Sequence, residues 1–379
     1  MTDWPVKTLG EVVRFDSETA RPEDLSSKDV YVGLENIASD GTLIGLGNVS
    51  AETLKSNKAR FTDKHILFGK LRPYLVKVVR PDFPGVCSTD ILPLKPTAEL
   101  SRDFLYWYMR NPAVIKGATD ASTGTTLPRV SPTTLKSFKI LVPPVEEQKR
   151  LVALLDAATA RVTEITACYE RARTHANNLF ASALREALES NPDWPIKTLG
   201  QVATFHNGRA YKQQELLDKG KYRVLRVGNF FSSKSWYWSD LELDEHKYCD
   251  KGDLLYAWSA SFGPRIWDEE KVIFHYHIWK VVEESQQINR QFLKYWLEED
   301  VERVKSASGT GTTMMHVSKG NIEARLISLP PLEEQKRIVA QLDSMRAKTS
   351  EMVAAYDAKL QAARDLRQSI LESVFAGDL

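Results

Sequence analysis

Val142-Pro143-Pro144-Val145-Glu146-Glu147-Gln148-Lys149-Arg150 occurs a second time, 187 positions on, as Leu329-Pro330-Pro331-Leu332-Glu333-Glu334-Gln335-Lys336-Arg337. Each copy joins a short strand-like run, 138–142 or 326–329, to a long helical stretch. Proline suits the first helical position, where its missing N–H would have no partner, and the paired glutamates put negative charge at the positive end of the helix dipole. The motif therefore predicts two helix starts, with Pro144 and Pro331 at the first helical position. Behind the first start, Leu151, Leu155, Ala158, Val162, Ile165, Tyr169, Ala172, Ala176, Leu179 and Ala183 keep a 4,3 spacing. That stripe is as narrow as a coiled-coil seam. Behind the second start, Ile338, Leu342, Met345, Met352, Tyr356, Ala363, Leu366 and Ile370 hold the same spacing, interrupted by polar Thr349 and Lys359. The first helix leads out to whatever lies between and the second begins beyond it, so the pairing that closes within one chain is antiparallel. Each helix is expected to run about 60 to 70 Å at about 1.5 Å per residue. The alternative is two separate helices, each packed on its own globular portion.

Outward from these helices, a second frame repeats. Asp3-Trp4-Pro5-Val6-Lys7-Thr8-Leu9-Gly10-Glu11-Val12 returns 190 positions later as Asp193-Trp194-Pro195-Ile196-Lys197-Thr198-Leu199-Gly200-Gln201-Val202. Near-identical frames thus enclose two stretches that barely resemble each other, as in a scaffold presenting two different reading heads. Short β-like runs at 31–34, 75–79, 222–227 and 271–282, punctuated by Gly and Pro, mark both heads as mixed domains. The expected architecture is α/β, of the α+β kind: globular domains at 1–143 and 191–330, separated by two long antiparallel helices at 144–190 and 331–379 that form a coiled coil.

A chain of 379 residues has room for two or three domains with their own cores. Cys87, Cys168 and Cys249 are far apart and odd in number, which writes neither a disulfide framework nor a zinc site. No charged-then-apolar leader opens the sequence, and no apolar run approaches the roughly 20 residues a membrane helix needs. A soluble, cytoplasmic protein away from membranes is expected. The net charge of +1 says little about nucleic acid, because binding depends on where charge sits. Residues 55–80 hold eight basic side chains against Asp63 alone, and residues 205–230 hold six against Glu215 and Asp218. One such cluster is as readily a solvated surface; one in each half points to two polyanion-facing surfaces.

Constellations for catalysis fail one by one. Ser308-Gly309-Thr310-Gly311-Thr312-Thr313 lacks the lysine of a phosphate loop. Its Gly-Thr-Thr matches Gly124-Thr125-Thr126 in the first half, and a hydroxyl-bearing loop at one place in both heads fits phosphate or base contact. A plain hairpin turn fits as well. His275 and His277 share one face of a predicted strand, yet without a third ligand they read as packing or polar contacts rather than a metal site. The Pro-Pro pairs lack the flanking residues of an amino-methyltransferase motif, and no acidic set resembles a nuclease.

Taken together, the two helix-start motifs, the two Trp-Pro-x-Lys-Thr-Leu-Gly openings, Ile66-Leu67-Phe68-Gly69-Lys70-Leu71-Arg72-Pro73-Tyr74 with Cys87-Ser88-Thr89-Asp90, and Gly252-Asp253-Leu254-Leu255-Tyr256-Ala257-Trp258-Ser259 closely resemble the specificity subunits of type I restriction-modification systems. The ending Ile370-Leu371-Glu372-Ser373-Val374-Phe375-Ala376-Gly377-Asp378-Leu379 is similar to that family's too. The resemblance covers essentially the whole chain and is weakest inside the heads. It implies two target-recognition domains and two conserved spacer helices, with modification subunits, two of them, docked on the helices. Methyl transfer from S-adenosylmethionine then belongs to those subunits, cleavage and translocation to a separate restriction subunit, and no cofactor to this chain.

The reading this supports is a non-catalytic subunit that binds a bipartite, asymmetric site on double-stranded DNA, in a system of phage defence. Candidate contacts in the first head are Lys70, Arg72, Tyr74, Lys77, Gly124, Thr125, Thr126 and Arg129. In the second they are Arg209, Tyr211, Lys212, Arg226, Asn229, Trp258, Ser259, Arg265, Gly311, Thr312, Thr313 and His316. Arginine reads guanine, asparagine reads adenine, and lysine holds phosphate. The rival is a coiled-coil scaffold whose heads bind proteins, with the basic clusters as plain surface.

Overall fold

A computed structural model describes residues 4–16, 18–26, 28–48, 56–189, 191–231, 235–259, 263–284, 287–307 and 318–378. The chain divides into two compact units, 1–170 with 357–379, and 171–356. The division cuts through both long helices, so each unit owns a stretch of each. Four helices matter here: α1 (Arg102–Met109), α2 (Val145–Ala187), α3 (Arg290–Ala307) and α4 (Leu332–Ala376).

In the first unit, strand Val6–Thr8 pairs antiparallel with Lys139–Leu141 and closes the frame just before α2 begins. A four-stranded antiparallel sheet follows, in the order Val13–Phe15, Ile91–Pro96, Ile66–Gly69, Val78–Val79. A five-stranded mixed sheet lies outside it, with Val30–Val32 parallel to Gly85–Cys87. The core gathers Leu9, Val12, Ile66, Phe68, Phe104 and Trp107 with Leu151 and Leu155 of α2 and Leu371 and Val374 of α4. The start of one long helix therefore meets the end of the other, and the two run antiparallel.

The second unit repeats the plan. Ile196–Thr198 pairs with Leu326–Ser328, and a four-stranded sheet takes the order Ala203–Asn207, Ile278–Glu283, Leu254–Ala257, Gly263–Ile266. A second mixed sheet has Tyr222–Leu225 parallel to Val272–Phe274. The core joins Leu199, Phe205, Tyr256, Trp279, Phe292 and Leu293 to Leu184 and Leu188 near the end of α2 and to Ile338 and Leu342 near the start of α4. Here the antiparallel pairing appears with the ends exchanged.

Pro144 and Pro331 stand one residue before the helical residues rather than at the first of them. Their carbonyls accept the first intrahelical bonds, from the Gln148 and Gln335 N–H groups at 3.0 and 2.9 Å. Glu147 and Glu334 pair with Arg150 and Arg337 one turn on.

Along the predicted seam, Leu151, Leu155, Val162, Ile338 and Leu342 are buried, and Tyr169, Met345, Tyr356 and Ile370 are partly so. Ile165, Leu179, Met352 and Leu366 are exposed, at 37, 49, 40 and 53%. Ala176 and Ala363, also on the predicted stripes, are buried, but elsewhere the buried track passes instead through Leu184 on α2 and Leu188 just past its end, and through Leu360, Leu371 and Val374 on α4. The reason is geometric. A helix of 3.6 residues per turn drifts about 20° per heptad from a strict seven-residue repeat, so over several heptads the buried track slips to the next residue.

Candidate nucleic-acid interface

In the first head the edge hairpin Ile66–Gly69 and Val78–Val79 ends in the loop 70–77. Gly69 is required at its root, because a Cβ there would lie 2.9 Å from the Lys77 Cβ and 2.8 Å from Leu34 Cδ2. The loop is zipped to the segment 123–130. The Arg72 N–H donates to the Pro128 carbonyl at 2.8 Å, Val130 N–H to the Lys70 carbonyl at 3.1 Å, and Arg72 Nη2 to the Thr126 carbonyl at 3.2 Å. Lys70, Arg72 and Tyr74 are thereby brought beside Gly124, Thr125, Thr126 and Arg129, which sequence alone had placed some 50 residues away. Thr125 and Thr126 face solvent, and Gly124 turns the chain at φ +100°.

The cations differ in availability. Arg129 is held by Asp90 through Nε–Oδ1 at 2.8 Å and Nη2–Oδ2 at 3.1 Å, and that hydrogen bond keeps the Asp90 carboxyl below its ordinary range. Lys77 turns inward and donates to the Ile37 carbonyl. Lys70 and Arg72 have no ion pair among the described residues.

The second head has the equivalent hairpin, Leu254–Ala257 with Gly263–Ile266, at the same edge of the same sheet order. Trp258 sits where Lys70 sits in the first head. It stacks on Trp279 at 5.7 Å, which stacks on Tyr256 at 5.9 Å, and its indole N–H donates to the Tyr276 carbonyl at 2.9 Å. Ser259 is buried. Beside this hairpin lies a cavity of about 410 Å³ lined by Arg226, Asn229, Tyr237, His275 and His277, among others. Arg226 lies over the Tyr237 ring at 5.2 Å and has no ion pair among the described residues. The Asn229 amide donates to the Ser235 carbonyl at 2.6 Å. Burial, with His277 and Arg226 nearby, pulls the His275 imidazole down to about 4, so it stands neutral at physiological pH.

Arg209 and Tyr211 border His275, and Lys212 follows Tyr211 in the chain. Arg209 pairs with Glu215 at 2.8 Å, and Tyr211 stacks on His275 at 6.4 Å. Lys212 is exposed. Arg265 is bound to the Phe230 carbonyl at 3.0 Å and to Asp268 at 2.7 Å. Gly311, Thr312, Thr313 and His316 lie outside the described residues. His275 and His277, expected on one face of a strand as packing or polar contacts, lie instead in the turn between Val272–Phe274 and Ile278–Glu283, where both wall the cavity. No group of three metal-ligating side chains occurs among the described residues.

The arrangement is thus a repeated α+β scaffold with one edge hairpin per unit, the first ending in Lys70, Arg72 and Tyr74 and the second carrying Trp258 at the end of its inner strand. The sequence matches the family model described as type I restriction modification DNA specificity domain over residues 1–171 and 191–361, and the chain belongs to that family. Among curated relatives, the type I restriction enzyme EcoDI specificity subunit of Escherichia coli is 26% identical over 49% of this chain and 41% of its own length. The chain thus spans less than half of that relative. The EcoBI specificity subunit of Escherichia coli is 23% identical over 53% of this chain and 44% of its own length. A solved chain reported under the complex assembly and conformational transition of the type I R-M system superposes with TM-score 0.88 at 24% identity, covering 99% of this chain and 98% of that one. At that identity the likeness establishes the fold.

Proposed function

We propose that this chain is the DNA sequence-recognition subunit of a type I restriction-modification complex, reading a bipartite, asymmetric site with one head per half. The observation that carries the reading is the recurrence, in a chain of this family, of one edge hairpin per unit with basic groups that have no ion pair among the described residues: the part-exposed Lys70 and Arg72 in the loop of the first, and the exposed Arg226 lining the cavity beside the second, with exposed Lys212 next to Tyr211. Phosphates attract such groups whatever the sequence, and base edges are read by the few that reach a groove. In this proposal Lys70, Arg72, Tyr74, Thr125, Thr126, Lys212, Arg226, Asn229 and Trp258 make the DNA contacts, and Arg129, Arg209 and Arg265, already paired with carboxylates, hold the loops in shape. Catalysis belongs to partners docked on the long helices: modification subunits that bind S-adenosylmethionine, and a restriction subunit. The site of action is the cytoplasm. No helix among the described residues is long and apolar enough to cross a membrane.

A genome-wide map of methylated bases tests the reading, in cells expressing this chain with a neighbouring methyltransferase and in cells lacking only this chain. Loss of a split motif, two short halves around a fixed gap, is the expected result; unchanged methylation overturns it. Under the same proposal the long helices set the gap. Four residues inserted into each lengthen it by roughly 6 Å, or one to two base pairs.

A further inference from the structure

Arg72 at φ +50° and Val76 at φ +51° are the non-glycine residues in the left-handed region among those described, and they flank a single 3₁₀ turn, Pro73–Leu75. Left-handed backbone is unfavourable for any side chain and most of all for a β-branched one. Such a conformation persists only when its surroundings over-determine it, and it then clusters at functional positions. Here the surroundings do so. Gly69 N–H donates to the Lys77 carbonyl at 2.8 Å, Arg72 N–H to Pro128 at 2.8 Å, Leu75 N–H to Arg72 at 2.9 Å and Val76 N–H to Pro73 at 2.9 Å. Pro73 is buried, and helix Pro112–Asp120 packs against the turn.

What the strained turn delivers is its tip. Tyr74 is 50% exposed and Leu75 40%. Two adjacent large side chains in water on a braced turn do nothing for the core. Lys70 and Arg72, at the root of the same loop, supply the charge that would draw the tip to a polyanion. In duplex DNA the apolar surface that could cover such a tip is the face of a base, exposed when a step is partly unstacked.

The geometry points to Tyr74 and Leu75 as a wedge that enters one base step of the duplex. The inference rests on the DNA reading above and adds to it a mode of recognition: the first head selects a step that opens easily, a pyrimidine–purine step, as well as reading base edges. A rigid tip is needed for this, because a flexible turn would yield before the stacked bases did.

The test uses the full chain and duplexes selected on it from a random pool, with 2-aminopurine placed in turn at each position of the recovered site. Binding is read by anisotropy and unstacking by 2-aminopurine fluorescence. A several-fold rise in fluorescence at one step is expected for the natural chain and for Tyr74→Phe, and its loss in the Tyr74→Ala/Leu75→Ala double variant, with binding weakened but still measurable and circular dichroism unchanged. Binding with no rise at any step, or a rise that survives in the folded double variant, overturns the wedge and leaves the DNA reading standing. Failure of the folded natural chain to retain any duplex overturns both.

Discussion

Gln148 and Gln335, 187 positions apart, make the same three hydrogen bonds from fully buried side chains. Gln148 Oε1 accepts from the Ser101 N–H at 2.7 Å, and its Nε2 donates to the Glu99 and Pro143 carbonyls at 2.8 Å each. Gln335 Oε1 accepts from the Asn289 N–H at 2.7 Å, and its Nε2 donates to the Gln287 and Pro330 carbonyls at 2.9 and 2.8 Å. Ser101 and Asn289 sit at the N-termini of α1 and α3, where their side chains accept from Phe104 and Phe292 N–H. One amide thus ties the start of a long helix to the start of a head helix. Gln148→Leu leaves the buried Pro143 carbonyl and the part-buried Ser101 N–H and Glu99 carbonyl without that amide and is expected to cost about 2 to 3 kcal/mol. Denaturant unfolding reads this directly, and a loss below about 1 kcal/mol would show that other groups replace the amide.

The buried track of the long helices gives a sharper contrast. Leu184 and Leu371 are each 5% exposed, whereas Leu179 and Leu366, on the strict heptad, are 49 and 53% exposed. Leu184→Ala and Leu371→Ala should each cost about 2 to 5 kcal/mol. Leu179→Ala and Leu366→Ala should stay within about 0.5 kcal/mol in the isolated chain. Thermal unfolding of the four variants decides which register the helices use.

These two cases show what the sequence could carry. Helix starts were legible because Pro-Pro and Glu-Glu act within one turn, and the long helices because apolar spacing is local. The role of Gln148 was not, since two of its three partners lie 47 and 49 residues away. Nor was the likeness between Phe104-Leu105-Tyr106-Trp107 and Phe292-Leu293-Lys294-Tyr295, which emerges only when Trp107 and Tyr295 are both seen donating to an aspartate on a long helix, Asp156 at 3.1 Å and Asp343 at 2.5 Å. In the heads, counting charge marked a basic segment in each half but could not distinguish Lys70 from Lys77. That distinction depends on the Ile37 carbonyl, which has no sequence signal. The left-handed turn at Arg72 and Val76 runs against local propensity, so no reading of residues one at a time reaches it.

The second head should respond to acid through His275. Its folded-state value of about 4 lies below the ordinary 6.5, so the native state binds fewer protons than the unfolded chain. The stability that the neutral ring contributes is complete above about pH 6.5 and is lost as pH falls from there toward 4. The ring is only half-buried, so solvent screening limits the loss to about 1 to 2 kcal/mol. Unfolding measured between pH 7 and 4 should show this limb in the natural chain and a flatter one in His275→Gln. An identical slope in both would assign the acid limb to other groups.

DNA binding should separate the cations by their pairing in the free protein. Lys212 carries no ion pair among the described residues, so Lys212→Ala should weaken binding to all sequences alike and lower the salt slope by about one unit. Arg129 is already neutralised by Asp90 at 2.8 Å and has little counterion to release. Arg129→Ala should therefore leave the salt slope nearly unchanged, while loosening the loop that Arg72 grips. Arg226, unpaired at the mouth of the cavity, is the candidate base reader: Arg226→Ala should cost about 1 to 3 kcal/mol on the preferred site and relax one base position, with less effect on unrelated DNA. Binding isotherms over a salt series, on the preferred duplex and a scrambled one, distinguish all three. A uniform loss for Arg226→Ala would make it a phosphate contact, and a full unit of slope lost with Arg129→Ala would mean that DNA breaks its pair with Asp90.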